Sequence, residues 1–365
     1  MHVLVTGGAG YLGAHVVLAL LQAGHVVDVV DDFTRGTPAS LGRAEALTGR
    51  HVTTHAADVA DIDALERVFA VSSFDAVVHL AGLRSTATSV DRVLDTYETN
   101  LTTTFTLLRC MSWYGVDKLV LSSSSSVYGA PATDEPLLET APLAPLSPLG
   151  RSLASNEHLL DDLAHGASHF RFAVVRCFTT AGAHPSGRIG QYCGRSATAL
   201  LARIGQVAAG RRDRLEVHGD AHATPDGTAV RDYVHPDDVA AGHVAALESL
   251  AHRPAGVSTW NLGTGRPSSV LDVVRTFEEV SGRRVPVQVV GGRRASAARL
   301  VADTGRAAAD LGWTAARTLA DICRDHWHWQ QQNPRGYPST VAPEAPWRGG
   351  IGHRLRVLPP LPRTS

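Results

Sequence analysis

Short runs of apolar and β-branched residues alternate with longer segments of helical pattern through the first half of the chain. Residues 2–6 (His-Val-Leu-Val-Thr) and 26–30 (Val-Val-Asp-Val-Val) are such runs, and the segment 11–21 between them is rich in helix-forming apolar residues. Two more buried runs occupy residues 74–80 and 118–121. The short runs predict strands and the longer segments predict helices. Strands that alternate with helices predict an α/β fold whose parallel sheet is covered by helices on both faces.

The pattern loosens after about residue 180, where glycine, proline and arginine become frequent and the elements shorten. We therefore expect a first domain over residues 1–180 and a smaller α/β lobe over residues 181–339. Residues 340–365 are rich in proline and arginine and end in Leu-Pro-Pro-Leu-Pro-Arg-Thr-Ser. Such a composition cannot bury a core, so a C-terminal tail is expected there.

Composition excludes several classes of partner. With 365 residues, 44% of them hydrophobic, the chain is long enough to bury a sizeable core. Its formal net charge is -1, so no global field attracts nucleic acid or an anionic membrane surface, and neither partner is expected. No apolar stretch is long enough to span a bilayer, and the N-terminus does not have the pattern of a signal peptide.

The cysteines and histidines show no metal-ligand spacing. Four cysteines are scattered along the chain without a Cys-x-x-Cys pair, and 18 histidines include no His-x-x-x-His beside a carboxylate. This cysteine usage is typical of a reducing compartment. We therefore expect a cytoplasmic protein that binds no metal.

Three glycines follow the first predicted strand at the start of the first predicted helix. Gly7, Gly10 and Gly13 form Gly-x-x-Gly-x-x-Gly, and their missing side chains let a pyrophosphate approach the helix N-terminus. Asp31 follows at the spacing expected for an acid that accepts hydrogen bonds from an adenosine ribose. A carboxylate there repels a 2′-phosphate, so NAD is favoured over NADP. The alternative interpretation is purely structural, with the glycines making a tight turn and Asp31 capping it.

Many further segments resemble one known family, in order along the chain. They are Leu-Val-Thr-Gly-Gly-Ala-Gly-Tyr-Leu-Gly at 4–13, His-Leu-Ala-Gly-Leu at 79–83, Ser-Val-Tyr-Gly at 126–129, Gly-Ala-His-Pro-Ser-Gly at 182–187, Asp-Gly-Thr-Ala-Val-Arg-Asp-Tyr-Val-His at 226–235 and Asn-Leu-Gly-Thr-Gly at 261–265. From residue 1 to about 338 the chain resembles the extended short-chain dehydrogenases, and within them the UDP-glucose 4-epimerases. The resemblance implies a Rossmann-type doubly wound parallel sheet, a smaller substrate lobe, NAD, a nucleotide-sugar ligand and a homodimer built through two helices of the first domain.

The resemblance also implies roles for individual residues. Asp58 and Val59 would flank the adenine, and Asn100 and Ser122 would border the nicotinamide. The full set of implied cofactor-binding residues is Gly7, Gly10, Tyr11, Leu12, Gly13, Asp31, Asp32, Asp58, Val59, Leu80, Ala81, Gly82, Asn100 and Ser122. The implied substrate-binding residues are Arg84, Thr179, Leu200, Arg231 and Arg293.

The chain departs from the family at the catalytic pair. In the family a tyrosine and a lysine lie four residues apart on one helix face. The lysine holds the nicotinamide ribose and lowers the tyrosine pKa, and the tyrosine phenolate takes the proton from the sugar hydroxyl. Leu149 and Leu153 stand at those two positions here, and neither can move a proton. Ser124 retains the family's catalytic serine or threonine position, but a hydroxyl in a neutral pocket donates hydrogen bonds and is not a base.

The substrate positions have changed as well. Cys177 and Thr179 replace an aromatic residue and an amide of the family, and Ala297 replaces the acid that would hold the uridine ribose. Arg231 and Arg293 are candidate ligands of a diphosphate. They could equally be surface ion-pair residues.

Three functions remain open at this point. The first is an NAD-binding member of the epimerase family that is non-catalytic or nearly inactive. The second is an enzyme that acts on a nucleotide sugar or a related metabolite with other groups, such as Ser124, Cys177 or Arg84. The third is a weak 4-epimerase in which water acts as the base.

Overall fold

The computed structural model describes residues 1–166, 169–191, 199–219, 222–291 and 297–338. In chain order the strands are β1 (His2–Thr6), β2 (Val26–Asp31), β3 (Val52–Ala56), β4 (Ala76–His79), β5 (Lys118–Ser124), β6 (Arg171–Cys177), β7 (Thr179–Thr180), β8 (Leu215–His218), β9 (Val230–Val234), β10 (Gly256–Leu262), β11 (Pro267–Ser269), β12 (Val287–Val290) and β13 (Arg299–Leu300). The helices are α1 (Tyr11–Gln22), α2 (Pro38–Thr48), α3 (Ile62–Val71), α4 (Thr86–Asp91), α5 (Val93–Trp113), α6 (Pro148–Gly166), α7 (Leu200–Ala208), α8 (Pro236–Ser249), α9 (Val270–Ser281), α10 (Gly305–Leu311) and α11 (Leu319–Gln332).

Seven strands form the main sheet in the order β10-β6-β5-β4-β1-β2-β3. Every neighbouring pair in it is parallel. The order reverses direction at β1, where the chain goes first to β2 and β3 and then to β4 on the other side. This is a doubly wound Rossmann-type α/β sheet, so the predicted fold class is confirmed.

Apolar side chains cover both faces of this sheet. On β1, Val3 and Val5 point to one face and Leu4 to the other, as the two-residue repeat of a strand requires. The first face packs against α1 and α8, and the second packs against α3, α5 and α6. A strand that is buried on both faces has a continuous apolar run in its sequence, which explains the pattern at residues 2–6.

Strand β10 and helix α8 join the main sheet from the second half of the chain. Strand β10 pairs with β6 over its whole length, from Gly256 opposite Arg171 to Leu262 opposite Cys177. Helix α8 packs against α1. The stretch expected to form the smaller lobe therefore contributes to the first domain, and the two lobes are not consecutive segments of the chain.

The second lobe is built around short strands. Strand β9 pairs with β7, β11 and β13, while β8 and β12 form a separate parallel pair. Its core contains Phe277 of α9 and Ile322 of α11, both fully buried. Because β7 comes directly after β6, this lobe begins at the carboxyl edge of the main sheet. None of the described helices is long and apolar enough to cross a membrane.

Candidate functional site

A cleft of about 1290 Å³ runs along the carboxyl edge of the main sheet and under the second lobe. It is larger than the ~300–1,000 Å³ of most single-ligand pockets. Parallel α/β sheets bind ligands at this edge, where loops from several strands converge. The cleft is lined at one end by the glycine turn and the loops after β2 and β3, and at the other end by residues of β5, β6, α6 and β13.

The glycine turn brings the start of α1 close to the strand ends. Gly7 has a positive φ of 70°, and a Cβ at this position would lie 2.7 Å from the backbone N of Ala81. A Cβ at Gly13 would lie 2.2 Å from the carbonyl O of Gly7. Gly10 precedes α1 as its N-cap and provides no side-chain cap, and Gly10, Tyr11 and Leu12 line the cleft, so the positive end of the helix dipole is directed into it. This cradle fits the pyrophosphate of a dinucleotide.

Asp31, at the end of β2, lines the cleft and is 6% exposed. Its Oδ2 accepts a hydrogen bond from the N–H of Ala9 (3.0 Å), and its Oδ1 accepts one from the N–H of Phe33 (2.9 Å). Burial raises the pKa of Asp31, and these two hydrogen bonds lower it in part. Phe33 has a φ of 56°, a left-handed conformation unusual for a residue with a side chain. Asp31 therefore both holds the turn and faces the cleft.

The loop after β4 forms the next part of the wall. Leu80, Ala81 and Gly82 line the cleft, and the N–H of Ala81 donates to Thr6 Oγ1 (3.2 Å). Below them, His79 Nδ1 lies 2.7 Å from the same Thr6 oxygen. Burial lowers the pKa of His79 to about 3, so its imidazole is neutral and serves as a structural bridge. Asp58 and Val59, which follow β3, line the same end of the cleft.

The serine run at the end of β5 is held from behind by a buried ion pair. Ser123 donates a hydrogen bond to Glu157 of α6, whose Oε2 lies 2.7 Å from Nη2 of Arg176. Ser122 Oγ lies 3.8 Å from Sγ of Cys177. Ser124 Oγ accepts a hydrogen bond from the N–H of Ser126 at 3.2 Å. The serines are thus fixed side by side along the cleft wall.

Leu149 and Leu153 lie one turn apart on α6 and both line the cleft. They are 3% and 0% exposed and belong to one apolar cluster with Phe178 and Leu300. Arg151, two residues from either leucine, is exposed. The two leucines therefore lie on one face of α6, as predicted, and Arg151 does not lie on that face.

Arg84 and Arg231 line the cleft. Arg84 donates hydrogen bonds to the carbonyl O of Ser122 (2.8 Å) and of Ala81 (3.2 Å). Arg231 donates to the carbonyl O of Val230 (2.7 Å) and of Ala297 (2.8 Å), and burial lowers its pKa. Thr179 lines the cleft as well. Arg293, the remaining arginine of the predicted substrate set, lies outside the described residues.

Two of the described candidate residues do not line the cleft. Asn100, 2% exposed, accepts a hydrogen bond from the N–H of Leu83 (2.7 Å) and donates to Ser152 Oγ (2.9 Å). It therefore braces the loop after β4 against α6 from inside the protein. Leu200 begins α7 and packs against the core of the second lobe. The other candidates that the structure describes meet in the cleft.

The structure adds residues that sequence reasoning missed. Arg35, which follows β2, and Tyr337 both line the cleft. The hydroxyl of Tyr337 accepts a hydrogen bond from the N–H of Gly190 (3.1 Å), and the guanidinium of Arg43 lies 4.9 Å from its ring centroid. Tyr337 comes just before the proline-rich tail, and its partners are far away in the sequence, so no local signal marked it.

Comparison with known proteins supports the resemblance of the motifs. The sequence profile described as the NAD dependent epimerase/dehydratase family matches residues 3–263. The UDP-glucose 4-epimerase of Bacillus subtilis is 42% identical over 339 residues, which cover 93% of this chain and 99% of that protein. The UDP-glucose 4-epimerase of Mus musculus is 45% identical over 342 residues, which cover 92% of this chain and 98% of that protein.

Solved structures of UDP-glucose 4-epimerases also match this chain. The UDP-glucose 4-epimerase of Stenotrophomonas maltophila with bound NAD and formylated UDP-arabinopyranose has a TM-score of 0.88 at 39% identity, over 92% of this chain and 99% of that one. The UDP-glucose 4-epimerase of Bifidobacterium longum, in complex with NAD⁺ and UDP, has a TM-score of 0.87 at 36% identity. The match covers 92% of this chain and 100% of that one. The chain therefore belongs to the NAD-dependent epimerase/dehydratase family and is a homologue of the UDP-glucose 4-epimerases.

Proposed function

We propose that this protein binds NAD in the cleft and is non-catalytic or nearly inactive as a UDP-glucose 4-epimerase. One observation carries the proposal. Leu149 and Leu153 lie on the helix face that borders the cleft. The motif resemblance implies that these two positions hold the catalytic tyrosine and lysine in the family, and leucine can move no proton. The remaining parts of the cofactor cradle are intact.

The cradle supports NAD as the cofactor. The two close approaches at Gly7 and Gly13 leave room for a pyrophosphate but none for a Cβ. Asp31 places a carboxylate at the adenosine end, where its negative charge opposes a 2′-phosphate. In this proposal the adenine is flanked by Asp58 and Val59. When bound, NAD supplies a hydride acceptor.

Among the described residues at the other end of the cleft there is no carboxylate or imidazole to act as a proton acceptor. The described acids of the cleft are Asp31, Asp32, Asp58 and Asp91, which belong to β2, the loops after β2 and β3, and α4, not to α6 or β6. Loss of one general base costs about 10²- to 10⁴-fold in rate. Members of one catalytic unit do not contribute additively, so a retained Ser124 does not compensate for the loss of the pair.

Cys177 is not a convincing replacement nucleophile. Its thiol lines the cleft, but burial raises its pKa to about 12, against a weaker lowering by Ser122 and Arg84. The thiolate is the reactive form, so Cys177 is a neutral, weakly polar group at pH 7. This argues against the second function that the sequence left open, an enzyme, in its form with Cys177 as the reacting group.

The test measures cofactor content and reduction separately. We expect the purified protein to contain or bind NAD, and we expect no reduced nicotinamide to form when UDP-glucose or UDP-galactose is added. A coupled assay should give a turnover well below ~1 s⁻¹, the lower end of ordinary enzyme values. The Bacillus subtilis 4-epimerase, assayed in parallel, is the positive control. Turnover near that of the control would contradict the proposal and would point to a water molecule or an unrecognised side chain as the base.

A further inference from the structure

The last described residues of the chain form a tight turn that leads to the cleft. Helix α11 ends at Gln332, and the N–H of Gly336 donates a hydrogen bond to the carbonyl O of Asn333 (2.9 Å). Gly336 has a φ of 81°, in the left-handed region that favours glycine. Tyr337 and Pro338 come directly after this turn, and both line the cleft.

The turn is attached to the second lobe at both of its ends. Asn333 is 7% exposed, and its Nδ2 donates hydrogen bonds to the carbonyl O of Gly187 (2.8 Å) and of Trp329 (3.0 Å). At the other end, the hydroxyl of Tyr337 accepts the hydrogen bond from the N–H of Gly190 (3.1 Å), and its ring centroid lies 4.8 Å from that of Trp329. Trp329 belongs to α11, and the two glycines belong to the loop after β7.

Arg43 of α2 attaches the same turn to the first domain. Its Nη1 donates hydrogen bonds to Oδ1 of Asn333 (2.8 Å) and to the carbonyl O of Arg188 (2.8 Å). Its guanidinium lies 4.9 Å from the ring centroid of Tyr337 and 5.5 Å from that of Trp329, within the range of cation–π contacts. One side chain of the first domain thus contacts three parts of the second lobe.

This attachment lies close to the glycine turn. Ser40 is three residues before Arg43 on α2, and residues at this spacing share a helix face. The hydroxyl of Ser40 donates a hydrogen bond to the carbonyl O of Ala9 (2.9 Å), which is part of the glycine turn. Three helical residues advance by about 4.5 Å. The contact of α2 with Tyr337 is therefore within one helical turn of its contact with the cradle that fits a pyrophosphate.

We propose that Tyr337 and Pro338 are a latch across the cleft, held closed by Arg43, and that a dinucleotide enters and leaves when the contacts of Arg43 open. The two latch residues line the cleft, and Tyr337 contacts both the first domain and the second lobe, so the latch connects the two walls. Arg43 does not line the cleft and is a positioning residue. The dinucleotide rests on the proposed function, whereas the latch rests on the contacts of Arg43 and Tyr337.

Stopped-flow fluorescence of NADH tests the latch. Association is measured by mixing the protein with NADH, and dissociation by displacing bound NADH with excess NAD. Arg43→Ala should raise both rate constants at least about tenfold, because the closed latch loses two charge-assisted hydrogen bonds and two cation–π contacts. The dissociation constant should change less than either rate constant, since Arg43 lies outside the cleft lining. Damage to the cradle would raise the dissociation rate constant alone, and that outcome overturns the proposal.

Further variants separate the latch from a general loss of structure. Tyr337→Ala should give the same change as Arg43→Ala, and the double variant should be no faster than either one, because all three open one latch. Arg43→Lys should lie between Arg43→Ala and the unmutated protein, since an ammonium does not stack on the two rings as a planar guanidinium does.

The control is Arg109→Ala, which removes an exposed arginine of α5 that does not line the cleft and should leave both rate constants unchanged. Unaltered rate constants in both Arg43→Ala and Tyr337→Ala overturn the latch while leaving the proposed function in place. Failure of the unmutated protein to bind NADH overturns the proposed function itself, so the two failures can be told apart.

Discussion

Oδ2 of Asp31 accepts a hydrogen bond from the N–H of Ala9 at 3.0 Å, so the last residue of β2 holds the glycine turn. The same carboxylate lines the cleft. In the proposed function, the side chain that would contact the ribose therefore also holds the loop that would contact the pyrophosphate.

Asp31→Ala should weaken NAD binding and narrow the preference for NAD over NADP. Removal of the carboxylate takes away both the ribose acceptor and the charge that repels a 2′-phosphate. Calorimetry with both cofactors measures the change. The control is Asp162→Ala, because Asp162 is an exposed carboxylate of α6 that does not line the cleft. Equal affinity for NAD and NADP in the unmutated protein would refute the assignment of Asp31.

Gly13→Ala should reduce NAD affinity by at least about tenfold, because a Cβ there lies 2.2 Å from the carbonyl O of Gly7 and forces the turn open. Gly42→Ala is the matched control, since a Cβ at that helical position meets nothing within 4 Å. It should leave NAD binding unchanged and raise stability by about 0.5–1 kcal/mol. Unaltered NAD affinity in Gly13→Ala would place the dinucleotide elsewhere.

The double variant Leu149→Tyr, Leu153→Lys should restore reduction of bound NAD by excess UDP-sugar. The ammonium one helical turn away lowers the tyrosine pKa, whereas Leu149→Tyr alone leaves a phenol with a pKa near 10 that is almost fully protonated at pH 7. Absorbance of reduced nicotinamide is the measurement. Leu149→Phe controls for added bulk against Phe178 and Leu300. A double variant that folds and binds both ligands without any reduction would show that the sugar no longer meets the nicotinamide.

Cys177 should resist alkylation. With a thiol pKa of about 12, only on the order of 10⁻⁴ of it is thiolate at pH 8, against a few tenths for a free cysteine. Iodoacetamide labelling followed by peptide mass spectrometry measures the rate, with a free cysteine-containing peptide as the reference. Labelling of Cys177 as fast as that peptide would restore the cysteine-based enzyme as a candidate.

Asp237 links α1 to α8 and should make stability depend on pH. Burial alone would raise its pKa, but the hydrogen bond to His15 (2.6 Å) and the charge of nearby histidines outweigh it and hold the pKa at about 2. A lowered folded-state pKa stabilises the protein above the unfolded-state pKa, and this contribution is lost as the pH falls from about 4 toward 2.

Asp237→Asn should therefore lower the free energy of unfolding by about 2 kcal/mol at pH 6, and the difference from the unmutated protein should shrink at pH 3. Urea unfolding at both values is the measurement. Asp162→Asn changes an exposed carboxylate of α6 and should show neither effect. A difference that grows on acidification would contradict the ionised state of Asp237.

Local patterns were enough to predict most of the main sheet. The runs at 2–6 and 26–30 correspond to β1 and β2, and the helix predicted at 11–21 corresponds to α1. The strand predicted at 118–121 extends to Ser124, because the polar serines pair with β6 up to Cys177. Serine does not mark a strand in sequence, so only the pairing shows this extension.

The candidate site was predictable where a residue's position follows from the backbone alone. Gly7 and Asp31 sit at the ends of β1 and β2, so their place at the carboxyl edge follows from the topology. Asn100 and Leu200 lie on helices, and packing against Ser152 and against the second lobe directs them away from the cleft. The contact of Tyr337 with Gly190 spans 147 residues and has no local signature.

The pairing of β10 with β6 sets a limit on how the chain can fold during its synthesis. Strand β6 is complete at Cys177, but the partner along its outer edge begins only at Gly256. Until then the nascent sheet carries an unpaired edge beside Val174 and Val175, which are fully buried in the finished protein. The unpaired N–H and C=O groups of such an edge can form hydrogen bonds with a strand of another chain. A fragment that ends near residue 180 should therefore aggregate. The cleft is completed later still, because Leu300 and Tyr337 also line it.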